Sequence, residues 1–130
     1  METYAERTVT GRDGREFRIL PLTVRQRATL QNMLEERARK AAAADAKAVG
    51  MGNADAAAFV REAREKASGI AALISWCFTT EGAIETLAVS LGREDAIALL
   101  DATDPKEASF HALAALGIDM SRYEDSAGNA

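Results

Sequence analysis

The chain offers few side chains able to do chemistry. It contains one histidine, His111, and one cysteine, Cys77. A general base or an activated nucleophile works only beside a second polar group that holds or relays its proton. His111 sits in FHALAALG, and its neighbours Leu113 and Leu116 make it a helix-face or partly buried imidazole. Cys77 falls on the apolar side of a helical stretch, where a packed small thiol is the ordinary outcome. One histidine and one cysteine cannot complete a tetrahedral nitrogen and sulfur set. The carboxylates Glu94, Asp95, Asp101 and Asp104 are close in sequence, but their spacing lacks the acidic rhythm and central glycine of a calcium loop. Gly11 and Gly14 are turn glycines, since no Gly-Lys-Ser/Thr follows them. The expectation is therefore no catalytic residue, no cofactor and no metal.

Recognition of another chain is the chemistry that remains. Trp76 is the single tryptophan and closes the most apolar stretch, GIAALISWCF. Tryptophan is enriched among the residues that anchor protein interfaces, and core packing is the competing role. Phe78 points to a different helical face from Trp76, so one of the two is expected to be the more exposed. From Ile70 to Phe78 the chain is nearly all apolar, more than one buried face of a thin bundle can use, so part of this surface is expected to meet a partner. The candidate partner-binding residues are Trp76, Phe78, Ile74, Ile70, Leu30 and Met33.

Several elements must position these residues. In Arg15–Leu20 apolar Phe17 and Ile19 alternate with Glu16 and Arg18, the period of a half-buried strand. Thr8, Val9 and Thr10 form a second run, and Asp13-Gly14 between them is a hairpin turn signal. A lone hairpin is marginal in water, so it either closes the fold by packing on helices or joins copies edge to edge. Thr23, followed by Gln26 three residues on, predicts a reciprocal helix cap. The helix that follows carries Leu30, Met33 and Leu34 on one face. Its stripe fades in AAAADAKAVG and ends at Gly50–Asn53. A second, long helix is expected from about Asp55 to Cys77, with Phe59, Val60, Ile70, Leu73 and Ile74 at three- and four-residue steps and Gly69 weakening it locally. GAIETLAVSLG reads as a third helix closed by Gly92. Glu94–Leu100 adds one or two turns. Asp104-Pro105-Lys106-Glu107 starts a last helix running to Gly117. The fold class is mainly α: a small helical domain of four to five helices, residues 1–120, preceded by a hairpin at 8–20, with a flexible tail at 121–130.

Composition sets the scale of that fold. At 130 residues one core is the usual count. The apolar fraction is 48% and includes 28 alanines, so the core is thin and favours close helix packing over a deep pocket. No run approaches the roughly 20 apolar residues of a membrane span, and the first 20 residues carry both signs of charge, unlike a secretory signal. An intracellular setting is expected. The net charge of −4 hides an asymmetry: residues 23–48 hold six bases against three acids, and residues 81–130 hold ten acids against three bases. Solvated helix faces explain this, or recognition by complementary charge, head to tail or with a partner. Nucleic acid is not an expected partner of an acidic chain.

The order of these elements resembles the tail assembly chaperones of lambda-like long-tailed bacteriophages. The resemblance covers residues 8–118: a hairpin ending in FRILPLT, a capped helix with VRQRATLQNML, an apolar helix with LISWCF, then short acidic helices. Thr23, Gln26, Leu30, Trp76 and the helix after Pro105 carry it. It implies a non-enzymatic protein of the host bacterium's cytoplasm that coats the tape measure protein, keeps it soluble and helps recruit tail tube subunits. It also implies absence from the finished virion, and in many members a longer form made by frameshifting, which would extend the tail from Ser121. A homo-oligomer is compatible with it. Two other classes are open on the residues alone: a permanent virion component such as a head-tail connector or tail terminator, and a small host regulatory or nucleic-acid-binding helical protein. Charge and the absence of a helix-turn-helix signature disfavour the last.

Overall fold

The structure, a computed structural model, describes residues 7–118. It is mainly α with an N-terminal hairpin. The elements in order are β1 (Arg7–Thr10), β2 (Glu16–Ile19), α1 (Val24–Ala48), α2 (Asn53–Lys66), α3 (Ile70–Cys77), α4 (Thr80–Leu91), α5 (Arg93–Asp101) and α6 (Pro105–Ala115). The expected flexible tail at 121–130 lies outside the described residues. The chain divides into two compact units, Met1–Arg27 with Ser75–Ala130, and Ala28–Ile74.

In the first unit the strands pair antiparallel, Val9 opposite Phe17 and Arg7 opposite Ile19. This register puts Phe17 and Ile19 on one side, and both are buried. Five residues separate the strands, and Gly11 N–H, donating to the Arg15 carbonyl at 2.9 Å, narrows the turn to the three residues between them. Gly14 N–H donates to the Gly11 carbonyl at 3.0 Å, Arg15 N–H donates to Asp13 Oδ1 at 3.1 Å, and Gly14 alone takes a positive φ, 83°. The hairpin packs on the helices. Arg12 N–H donates to the Ala102 carbonyl at 2.8 Å and Leu22 N–H to the Ala115 carbonyl at 2.9 Å. At the end of β2 the Ser90 hydroxyl satisfies both backbone groups of Leu20, accepting at 2.7 Å and donating at 2.9 Å. The Arg15 guanidinium reaches Asp95 at 2.6 Å.

Beneath the hairpin, α4 packs on α5, α6 and β2. Leu87, Leu99 and Leu113, one from each helix, are fully buried with Ile19. Each such side chain contributes roughly 1.5–3 kcal/mol by leaving water. Small residues fill the rest, Ala83, Ala96, Ala108 and Ala112 among them, so the helices approach closely as the composition requires. Local signals start and stop them. Asp104 accepts from Glu107 N–H at 3.0 Å with Pro105 in the first turn of α6, and Gly92 closes α4 with φ 91°. Thr79 Oγ1 accepts from Gly82 N–H at 3.0 Å, so α4 begins at Thr80 and Gly82 belongs to its first turn. The expected cap of α1 is present in both directions: Gln26 N–H donates to Thr23 Oγ1 at 3.1 Å and Thr23 N–H to Gln26 Oε1 at 2.9 Å.

In the second unit α1 and α2 run as an antiparallel helical hairpin. Gly50, with φ 73°, ends α1. Gln31 Nε2 donates to the Ala67 carbonyl at 2.7 Å and Arg64 Nε lies 3.5 Å from Glu35 Oε1. α2 has no fully buried side chain.

The stretch expected as one helix from Asp55 to Cys77 is two, α2 and α3, and this raises the helix count to six among the described residues. Gly69 takes φ 97°, a conformation no L-residue helix can contain. Ser68 Oγ donates back to the Arg64 carbonyl at 3.1 Å, occupying an acceptor at the end of α2.

Candidate partner-binding surface

The turn after α3 and the middle of α6 bring two aromatic side chains of the first unit together. Phe78, just past the end of α3, remains 49% exposed. Its ring meets that of Phe110 edge to face, centroids 6.3 Å apart and planes at 88°, a favoured aromatic geometry. The Lys106 ammonium stands 5.6 Å from the Phe110 centroid, one helical turn before it. Trp76 is only partly exposed. Its carbonyl accepts from Thr79 Oγ1 at 2.6 Å and from Thr79 N–H at 2.9 Å, which turns the chain sharply from α3 into α4. One of the two aromatics is more exposed than the other, as expected, and it is Phe78, which lies in the turn after α3. Phe110 was not among the expected site residues. Its signal is the Lys106/Phe110 spacing of four, which places both on one face of α6.

The other four candidates belong to the second unit. Ile70 opens α3 and is 47% exposed. Ile74 and Met33 are partly exposed. Leu30 requires a correction. It is 0% exposed, a core side chain with no area to offer a partner. The stripe of α1 identified the correct face, but a stripe cannot tell which of its members lies deepest.

The reactive groups occupy non-catalytic settings. Cys77 is fully buried, with Sγ 3.4 Å from the buried Thr86 Oγ1. Burial pushes its thiol up, and the Thr86 contact offsets this in part, so it is a poor nucleophile. His111 is partly buried, and its Nδ1 is enclosed without a hydrogen-bond partner. Burial, and next the Arg7 charge, hold its imidazole below the ordinary value of 6.5. The buried carboxylate Glu85 receives Arg93 at 2.6 Å. Among the described residues no three His, Cys, Asp or Glu side chains are grouped so as to hold a metal ion, and no helix is long and apolar enough to cross a membrane.

The arrangement is a half-exposed Phe78 ring set at right angles to Phe110, a patch suited to an apolar side chain. Comparison of the chain with protein-family models, with curated proteins and with solved structures returned no match.

Proposed function

We propose that this chain is a bacteriophage tail assembly chaperone that binds the tape measure protein and helps recruit tail tube subunits during tail morphogenesis in the host cytoplasm. The observation that carries the reading is the half-exposed Phe78, in a T-shaped contact with Phe110 at the end of the most apolar segment. A long amphipathic helix, the form of a tape measure protein implied by the resemblance, recognises such a surface by inserting its apolar face. The element order from hairpin to acidic helices supports the same reading. No catalytic or cofactor step enters into it.

The test is capture of a tape measure fragment from the same tail gene cluster by the purified chain. Phe78→Ala is expected to weaken capture by about 2 kcal/mol, the scale of an aromatic hot spot, while the free chain stays folded with stability within about 1 kcal/mol of the parent. Full binding by Phe78→Ala, or early melting with no specific loss of capture, removes the anchor. Mass spectrometry of purified virions addresses the alternative directly: a stoichiometric copy number in finished particles assigns the chain to the permanent tail structure instead.

A further inference from the structure

The charge asymmetry of the sequence takes the form of two small faces, one acidic and one basic, each with an apolar centre. On α5, Glu94, Ile97 and Asp101 recur at steps of three and four residues and share one side of the helix. Ile97 is 42% exposed, and the acids flanking it stand about 10 Å apart along the axis at 1.5 Å per residue. Asp95 is engaged by Arg15. Glu94 and Asp101 make no ion pair among the described residues.

In the second unit α1 and α2 enclose an open groove of about 590 Å³. Ala46, Met51 and Val60 line it with apolar surface, Arg39, Lys47, Arg61 and Arg64 supply its charge, and no carboxylate contributes to the lining. Arg39 is bound to Glu36 at 2.5 Å and Arg64 is near Glu35. Lys47 and Arg61 have no such partner among the described residues.

We propose that the Glu94–Ile97–Asp101 face of one copy docks in the α1/α2 groove of a second copy, Ile97 against the Met51 and Val60 surface, with Glu94 and Asp101 opposite Lys47 and Arg61. The match is two charges to two around one apolar contact, and both halves belong to the same chain. The joined patches are different, so the contact is heterologous: a joined pair keeps one free groove and one free acidic face, and association continues beyond a dimer unless it closes into a ring. The area is small and the ion pairs are exposed, so the contact is weak and sensitive to salt.

Sedimentation velocity of the full chain over a concentration series tests this. At about 50 mM salt the mean mass is expected to rise with concentration, and about 500 mM salt is expected to weaken association more than tenfold. Lys47→Glu/Arg61→Glu and Glu94→Lys/Asp101→Lys are each expected to lose association at least tenfold alone. Mixing the two restores it, since the unchanged acidic face of the groove variant meets the unchanged groove of the face variant, and the acidic groove of the first meets the basic helix face of the second. If Glu94→Lys/Asp101→Lys melts early, Glu94→Gln/Asp101→Asn replaces it and is expected to lose association alone; mixed with Lys47→Glu/Arg61→Glu it is expected to form pairs and nothing larger, because its unchanged groove meets the unchanged acidic face and no second contact is available. A wild type that stays monomeric at low salt overturns the proposal. So does association indifferent to these substitutions, a mixture of the two charge-reversed variants that does not recover, or a monomeric wild type whose groove instead takes polyglutamate or poly(U) RNA in a Lys47- and Arg61-dependent way.

Discussion

The backbone of Gly82 is held directly against Trp76. A β-carbon on Gly82 would stand 2.8 Å from Trp76 Cγ and would run into the Trp76 carbonyl oxygen. In an exposed helix, alanine in place of glycine gains about 0.5–1 kcal/mol. Here the sign reverses. Gly82→Ala is expected to cost about 1–3 kcal/mol, the range for overpacking a filled site, and to shift the Trp76 fluorescence maximum as the indole is displaced. Thermal melting with tryptophan emission as the probe checks both, and a stabilised variant would contradict the close approach.

Leu30→Ala and Phe78→Ala should separate stability from recognition. Leu30 is fully buried and Phe78 is half exposed. Truncating Leu30 is expected to cost about 2–5 kcal/mol of stability. Phe78→Ala should leave urea unfolding within about 1 kcal/mol of the parent, because the ring gives up one aromatic contact and only part of its buried area. Urea titrations of the two variants side by side make the comparison.

The His111 environment predicts a pH dependence with a definite sign. Its folded-state pKa is lowered below the ordinary 6.5 by burial first and by Arg7 second. Between those two values the unfolded chain binds the proton that the folded chain refuses, so stability is present in full above about 6.5 and falls as the pH drops through the folded value. His111→Gln is expected to flatten the stability curve between about pH 7 and 5.5, above the range where carboxylates dominate. Melting temperatures of parent and variant across that window provide the measurement.

The break between α2 and α3 rests on one residue. Gly69 has φ 97° and nothing crowds its α-carbon, so the cost of a side chain there is conformational alone. Gly69→Ala is expected to destabilise by about 1–2 kcal/mol, and Gly69→Asn, which tolerates positive φ better, by less. Equal stability of all three chains in chemical denaturation would mean that residues 66–70 can continue as helix.

The sequence by itself determined whatever is settled within a few residues. Thr23 and Gln26 cap each other, Asp104-Pro105 starts α6, Gly92 closes α4 and Asp13-Gly14 turns the hairpin, because each of these is a contest between a side chain and the nearest backbone groups. The alternation of Phe17 and Ile19 likewise named the inner face of β2, since a strand has only two faces. Tertiary structure decided the rest. Gly69 is compatible with a weakened helix or a break, and only the packing of what precedes and follows it selects the break. Leu30 and Ile70 are equally apolar in sequence, yet one is enclosed and the other open, because depth depends on which elements lie over a helix face and not on the period of the face. Phe78 found Phe110 across 32 positions of chain, and Trp76 found the bare α-carbon of Gly82 across a tight turn. Ser90 came to serve both backbone groups at the end of a strand 70 residues away. Contacts of that kind are set by how α4 and α6 pack under the hairpin, which no local window of the sequence contains.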